Sequence, residues 1–400
     1  MARGLHGPLR AAKPRAQDDD AARNGAARVR LRGDHGGTMM RKSQFGRLAR
    51  RAAVAAACAL GIGVGNGPAS AQAQPLPQAN LRAIAYTSNL YLWFEVEKKF
   101  YEQDLPAASG GRVRIEAMPH DLAGIRGPEV LGLLQNGTLQ VAAQNLSYMA
   151  GDDPRFEGID LAGFAITNEA VRKATEAYRP VLERVALEKF NTRLLGIAPL
   201  PSQVFWCRMP ITGLADLKGK RVRVFNATLS DFMAGVGGTT ITMSFVEVIP
   251  ALQRGLADCA VTGTTSGYSA KWPEVTTHLY PLTVGWSMVF WAVNNNTWRG
   301  LPPAVQAFLA DQYRTLEAAA WEAQAKYDAQ GVACATTGPC TLGPPGRMTL
   351  VPVTEADQAE RTRILNATVL PNWARRCGRA CVEEWNATVG AALDLRAPVN

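Results

Sequence analysis

The chain has 400 residues, 47% of them hydrophobic and 19% charged, enough apolar material for a large core and too much for disorder throughout. Its formal charge of +9 is uneven: 13 of the 43 basic residues and 4 of the 34 acidic ones fall in residues 1–71, so the remaining 30 of each leave the rest formally neutral. A nucleic-acid or acidic-surface partner for the folded part is thereby excluded as an explanation of the basic pI.

Residues 40–73 read as a signal peptide. Arg41, Lys42, Arg47, Arg50 and Arg51 precede an apolar stretch from Ala52 to Val64, and small-residue cleavage signals follow at Ala69, Ala71 and Ala73. Residues 1–39 are Arg-, Ala- and Gly-rich without hydrophobic periodicity and read as a non-native or disordered extension ahead of the true start. Export places the product in the periplasm and makes disulfides the default for Cys207, Cys259, Cys334, Cys340, Cys377 and Cys381. Cys207 with Cys259 and Cys334 with Cys340 are the favoured pairs. Cys377 and Cys381, four apart in a predicted helix, would need that helix to relax. A four-thiolate zinc site is the alternative, although the spacings repeat no zinc knuckle.

After a Pro/Gln-rich linker, LRAIAYTS is a strand ending near Thr87 and Ser88, and a helix follows over about Leu90 to Glu102. Arg112 to Pro119 alternates as a second strand. A helix closes near Gln135, and TLQVAAQ is a buried strand reaching Gln144. This β-α-β-α-β order implies parallel strands and right-handed crossovers, with ligand contacts at the strand ends: Thr87, Ser88, Gln144 and Asn145. A helix over Asn168 to Phe190 leads to the strands TRLLGIAPL and SQVFWCRMPI. A second α/β unit comprises strands at Arg221 to Val224, Thr240 to Met243 and Cys259 to Gly263, with helices over Leu229 to Val236 and Phe245 to Arg254. A strand from Ser287 to Val293 precedes a long alanine-rich helix, Ala304 to Gln330. A short strand (Met348 to Val353) and a helical region containing Trp373 and Trp385 end the chain.

Catalytic constellations are scarce. After removal of the leader only His120 and His278 remain, neither in a metal-ligand spacing, and no nucleophile elbow or dinucleotide loop is present. The pattern calls for no metal, no cofactor and no reaction. Arg223, near the end of its strand, offers a permanent cation to something small and anionic. One arginine cannot hold a metabolite alone, so enclosing walls are required, with Trp206, Tyr268, Trp272, Trp286 and Trp291 as the aromatic candidates.

DLKGKRVRV, followed by a helix and by GGTTITMSFVEVIPALQRGLADCAVTG, resembles the solute-binding subunits of TRAP transporters, the DctP type. The likeness extends over about Leu81 to Gln330 and includes SGGRVRIEAMP and LGLLQNGTLQVAA. It implies a two-lobed periplasmic-binding-protein fold of class α/β with parallel-rich sheets, a cleft between lobes and a long helix spanning them. Lobe I would be 78–201, completed by about 288–328; lobe II 202–287, completed by about 329–372; and 373–400 a cysteine-containing C-terminal region. The chain would cross between lobes near Ser202 and Ser287. The resemblance implies capture of an organic acid for membrane permease subunits, without enzymatic activity, nucleic-acid binding or membrane insertion of the mature chain. Arg223 matches the arginine that pairs with the ligand carboxylate. Asn226, the loop from Thr262 to Tyr268, and Gln144 with Asn145 fall where further contacts lie, and Trp286 stands near the second crossing. Gln203 occupies a position where members that bind acidic sugars carry another arginine, which turns the expectation toward a smaller or more aromatic carboxylate. The alternatives are a secreted α/β hydrolase or lyase acting on a carboxylate, and an interaction protein anchored through its C-terminal cysteines.

Overall fold

The computed structural model describes residues 75–399; the expected extension and the signal peptide lie outside them. Two mixed sheets flanked by helices form the α/β framework. The first has the order β2-β1-β3-β10-β4 and the second β11-β9-β5-β8-β6-β7. In chain order the strands are β1 (Ala79–Ala85), β2 (Val113–Pro119), β3 (Val141–Asn145), β4 (Thr192–Ala198), β5 (Gln203–Cys207), β6 (Arg221–Val224), β7 (Thr239–Thr242), β8 (Cys259–Gly263), β9 (His278–Tyr280), β10 (Val289–Asn294) and β11 (Thr349–Leu350). Burial follows position. Edge strand β2 alternates buried and exposed residues over most of its length, whereas β3 and β10, flanked on both sides, are buried throughout.

Each sheet contains one antiparallel strand, which the expectation of parallel units did not foresee. β10 runs against β3 and β4, and β5 against β8 and β9. The reason is topological. The other strands of both sheets aim their C-terminal ends toward one cleft, and the chain changes sheet there twice, through 199–202 and 281–288. A strand that enters its sheet from the cleft must run against its neighbours. β5 and β10 are those strands.

Several boundaries move. The first helix is one continuous run over 91–108, not 90–102, and much of it is π-wound: the Lys98 N–H bonds to Trp93 O and the Leu105 N–H to Phe100 O, each five residues back. The long helix is Pro303–Ala335, about 50 Å at 1.5 Å per residue, because Gly331, right after Gln330, stays helical instead of turning left-handed as a cap. It packs on both sheets' surroundings: the Trp321 indole N–H bonds to Ile197 O at 2.9 Å, and the Thr265 hydroxyl bonds to Tyr327 O. The strand expected over 348–353 pairs only at Thr349 and Leu350, and β9, three residues long, carried no recognisable alternation.

The cysteines pair as Cys207–Cys259, Cys334–Cys340 and Cys377–Cys381, so the thiolate zinc alternative is excluded. The first joins directly opposed residues of β5 and β8. The third is possible because the helical run 355–377 breaks at Gly378 (φ 79°) before a new run begins at Arg379, bringing the two Cα atoms to 5.5 Å. The C-terminal run packs back on the body through Trp373, whose indole N–H donates to Pro154 O, and Trp385, which donates to Gly158 O.

Two stability predictions follow from these contacts. The Cys207–Cys259 bridge closes 52 residues, so the double substitution Cys207→Ala/Cys259→Ala should lower the unfolding free energy by about 2–4 kcal/mol, read as a lower urea midpoint. At Gly331 a Cβ would come within 2.2 Å of the Thr265 backbone nitrogen, so Gly331→Ala should cost about 1–3 kcal/mol by prising the long helix from Thr264–Ser269. An unchanged thermal midpoint in Gly331→Ala would contradict the close seating.

Candidate functional site

The strand ends and the two crossings enclose a cavity of about 370 Å³. From the first sheet come Tyr86 and Thr87 after β1, His120 and Asp121 after β2, and Gln144 and Asn145 at the end of β3. The second contributes Gln203, Arg223, Phe225, Phe245, Thr262 and Ser266, and the crossings add Leu200 and Ser287.

Arg223 is the deepest charge. It is 1% exposed on β6, between β8 and β7. Its Nε and Nη2 donate to Met243 O at 3.2 and 2.9 Å, and Nη1 donates to Val261 O at 2.9 Å. Among the described residues no carboxylate lies within ion-pair distance of it. A guanidinium has five N–H donors, so one remains free on each terminal nitrogen, a pair matched to the two oxygens of a carboxylate. Burial pushes its pKa down to about 10, opposed by Tyr148, Tyr86 and Glu247, and it stays charged at neutral pH. Arg221, two residues earlier on the same strand face, shows the contrast: it is exposed at the other strand end and tied to Asp258.

Two buried carboxylates support the walls from behind. Glu97 accepts from the Tyr86 N–H at 2.9 Å and the Trp291 indole N–H at 2.7 Å. Asp160 accepts from the Trp286 and Ser287 N–H groups at 2.8 and 2.7 Å. This holds Ser287 in the left-handed region (φ 54°), where its Oγ accepts from Asn145 Nδ2. Burial raises both carboxyls to about 7, against the hydrogen bonds that would lower them.

Six of the expected contact residues therefore meet around one space: Arg223, Gln203, Gln144, Asn145, Thr87 and Thr262. Four do not. Ser88 spends its N–H and hydroxyl on Asp121, at 2.9 and 2.5 Å. Asn226 caps the helix Ala227–Val236, its Oδ1 accepting from the Leu229 N–H at 2.9 Å. Tyr268 turns outward and donates to Pro344 O at 2.8 Å, and Trp286 is core, its indole N–H on Ala165 O at 2.6 Å. Trp206, Trp272 and Trp291 are buried away from the cavity. The aromatic walls are instead Tyr86, Tyr148, Phe225 and Phe245. Tyr86, His120 and Asp121 follow strand ends and were open to the rule that found Thr87. Tyr148 and Phe245 sit on short 3₁₀ turns, which leave no periodic signal.

The family model for the bacterial extracellular solute-binding proteins, family 7 (DctP), matches residues 85–345. The chain belongs to this family. It is 26% identical over 211 residues to the C4-dicarboxylate-binding periplasmic protein DctP of Rhodobacter capsulatus, an alignment covering 52% of this chain and 63% of that protein. The chain thus spans less than two thirds of the length of the curated relatives it matches. Solved structures match along nearly their whole length. The Bordetella pertussis extracytoplasmic solute receptor DctP7, which binds pyroglutamic acid, superposes with a TM-score of 0.70 at 22% identity, over 79% of this chain and 99% of that one. A TRAP periplasmic solute-binding protein from Desulfovibrio salexigens with bound orotic acid gives 0.71 at 17%, over 79% and 98%. These place the fold among two-lobed TRAP solute-binding proteins. The family is one of binding proteins, and the hydrolase alternative is set aside.

The raised carboxyls carry a pH dependence. Each contributes stability that is complete below its unfolded value, near 4.5 for Glu97 and 3.8 for Asp160, and lost as pH rises through about 7. Urea unfolding between pH 5 and 8 should give falling stability, with a slope of up to about 1.4 kcal/mol per pH unit for each group. Glu97→Gln should flatten that slope; the same slope in the variant would refute the assignment.

Proposed function

We propose that this protein is a periplasmic receptor that binds one small organic carboxylate between its lobes and presents it to the membrane permease subunits of a TRAP transporter. The observation that carries this reading is Arg223: a buried cation with two free N–H groups and no acid partner among the described residues, facing a cavity. Charge-assisted hydrogen bonds contribute roughly 1.5–3 kcal/mol each, and micromolar binding requires about 8 kcal/mol. The aromatic walls and the polar groups from both lobes supply the remainder. The relatives' names and bound molecules, a C4-dicarboxylate, pyroglutamate and orotate, share a carboxylate.

In this reading lobe I is 78–201 with 288–328, lobe II is 202–287 with 329–372, and the leader at 40–73 directs export. No helix among the described residues is long and apolar enough to cross a membrane.

Native mass spectrometry of protein purified without unfolding should reveal a co-purified acid, released without chemical change. Arg223→Ala should weaken its binding by about 100-fold or more, and Arg223→Lys should restore only part, because a point charge replaces the fork. Unchanged affinity in Arg223→Ala would defeat the proposal.

A further inference from the structure

Resting on the carboxylate reading of the cleft, we infer that it selects acids with a single carboxylate on a compact, mostly apolar ring bearing a carbonyl, and that Asp121 and Gln144 impose this choice. The charges argue first. Arg223 is the buried cation of the cavity. The other arginine in its lining, Arg126, is 76% exposed in its side chain and committed to Glu129 through Nε at 2.7 Å and through Nη2. His120 has both ring nitrogens engaged, Nδ1 with Ile125 O at 2.8 Å and Nε2 with Thr87 Oγ1 at 3.0 Å. On the acidic side, Asp121 lines the cavity from the first lobe, and Glu247 adjoins the lining residues Phe245 and Val246 in the second. Once Arg223 is paired, a second ligand carboxylate has no free buried cation among the described residues and faces Asp121, so its desolvation goes uncompensated.

The neutral groups argue second. Gln144 is 3% exposed, and its Oε1 accepts from the Asn145 N–H at 2.8 Å, which fixes the other end of the amide as the donor. That Nε2 has no partner among the described residues. Gly127 leaves it room: a Cβ there would stand 3.3 Å from Nε2 and 2.7 Å from the Tyr148 ring. The Ser266 hydroxyl, from the second lobe, is buried without a partner in the same lining. A ligand carbonyl satisfies the Gln144 donor, a ligand N–H or carbonyl meets Ser266, and Tyr86, Tyr148, Phe225 and Phe245 accept the body of the ring. Specificity arises because a ligand without the carbonyl leaves a buried donor unpaired.

Isothermal titration of ligand-free protein with five acids tests this. Pyroglutamate and orotate carry one carboxylate and ring carbonyls; cyclopentanecarboxylate and benzoate lack the carbonyl; succinate adds a second carboxylate. At least one of the first pair should bind about tenfold or more tighter than the other three. Gln144→Leu should remove that advantage over cyclopentanecarboxylate while leaving cyclopentanecarboxylate itself within about threefold. Gln144→Met, close in size and without a donor, should do the same, with thermal midpoints confirming that both variants fold. Asp121→Asn should narrow the gap between the ring-carbonyl acid and succinate by about tenfold. Succinate binding as tightly as the first pair, or Gln144→Leu weakening all acids equally, would overturn the inference and leave the carboxylate reading standing. Failure of every acid to bind wild-type protein would overturn the inference, and the carboxylate reading would then be decided by the native mass spectrum.

Discussion

The arrangement turns on a permanent charge held out of water. A guanidinium cannot escape burial by losing its proton at neutral pH, and it is tolerated only where oxygen atoms face it. Here the fold supplies two backbone carbonyls, Met243 and Val261, at the ends of strand register on either side of β6. Those carbonyls orient the fork and leave its terminal N–H pair directed away from them. They are dipoles rather than charges, so they satisfy the geometry of the guanidinium without neutralising it. The unpaired remainder leaves an uncompensated positive charge in the lining of the cavity. Phe225, its ring centroid 5.6 Å from the guanidinium carbon, flanks the same group without competing for its protons.

Much of this was legible because strand ends are legible. RVRV, VAAQN and CAVTG read as strands from composition alone, and the rule that ligands gather at the carboxyl ends of parallel strands points to Arg223, Gln144 and Asn145, with Thr262 added by the family resemblance. One residue further along, local bonding takes over. Ser88 and Asn226 are equally polar and equally near a strand end, but local hydrogen bonding claims them, Ser88 through Asp121 and Asn226 through a helix N-terminus. Polarity at a strand end does not distinguish a residue facing the cleft from one securing the turn beside it. Tryptophan behaves in the opposite way. Trp206, Trp272, Trp286 and Trp291 are large enough to line a pocket, yet the core takes them, and smaller aromatics on non-periodic turns form the walls. The antiparallel direction of β5 and β10 was likewise out of reach of local pattern. It is set by where the chain enters each sheet.

The two crossings are held by similar means. At the first, Asp328 of the long helix accepts from the Ser202 N–H and hydroxyl, at 2.9 and 2.7 Å, and from the Thr264 hydroxyl at 2.8 Å. At the second, Asp160 accepts from the N–H groups of Trp286 and Ser287. Each crossing is thus tied by a single carboxylate to an element outside it, and each tie lies at or beside a cavity-lining residue: next to Gln203 in one case, on Ser287 itself in the other.

This placement couples the walls to the connections between the sheets. Gln203, which opens β5, and Ser287, just before β10, cannot shift without disturbing either the Asp328 and Asp160 bonds or the first ladder contacts of those strands. Any rotation of one sheet against the other must be absorbed within a few residues of the crossings and along the long helix, since these segments connect the two halves. The left-handed Ser287 and the extended Gly285 (φ 157°) lie inside that short interval, where the backbone departs most from ordinary strand geometry. Ser287 is also bonded through its side chain to Asn145 at the end of β3. A contact made by a ligand at Asn145 or Ser287 therefore acts on the second crossing directly, with no intervening side chain. The cavity and its connecting segments are one hydrogen-bonded unit, which is the physical condition for occupancy of the cleft to bear on the relative position of its two sides.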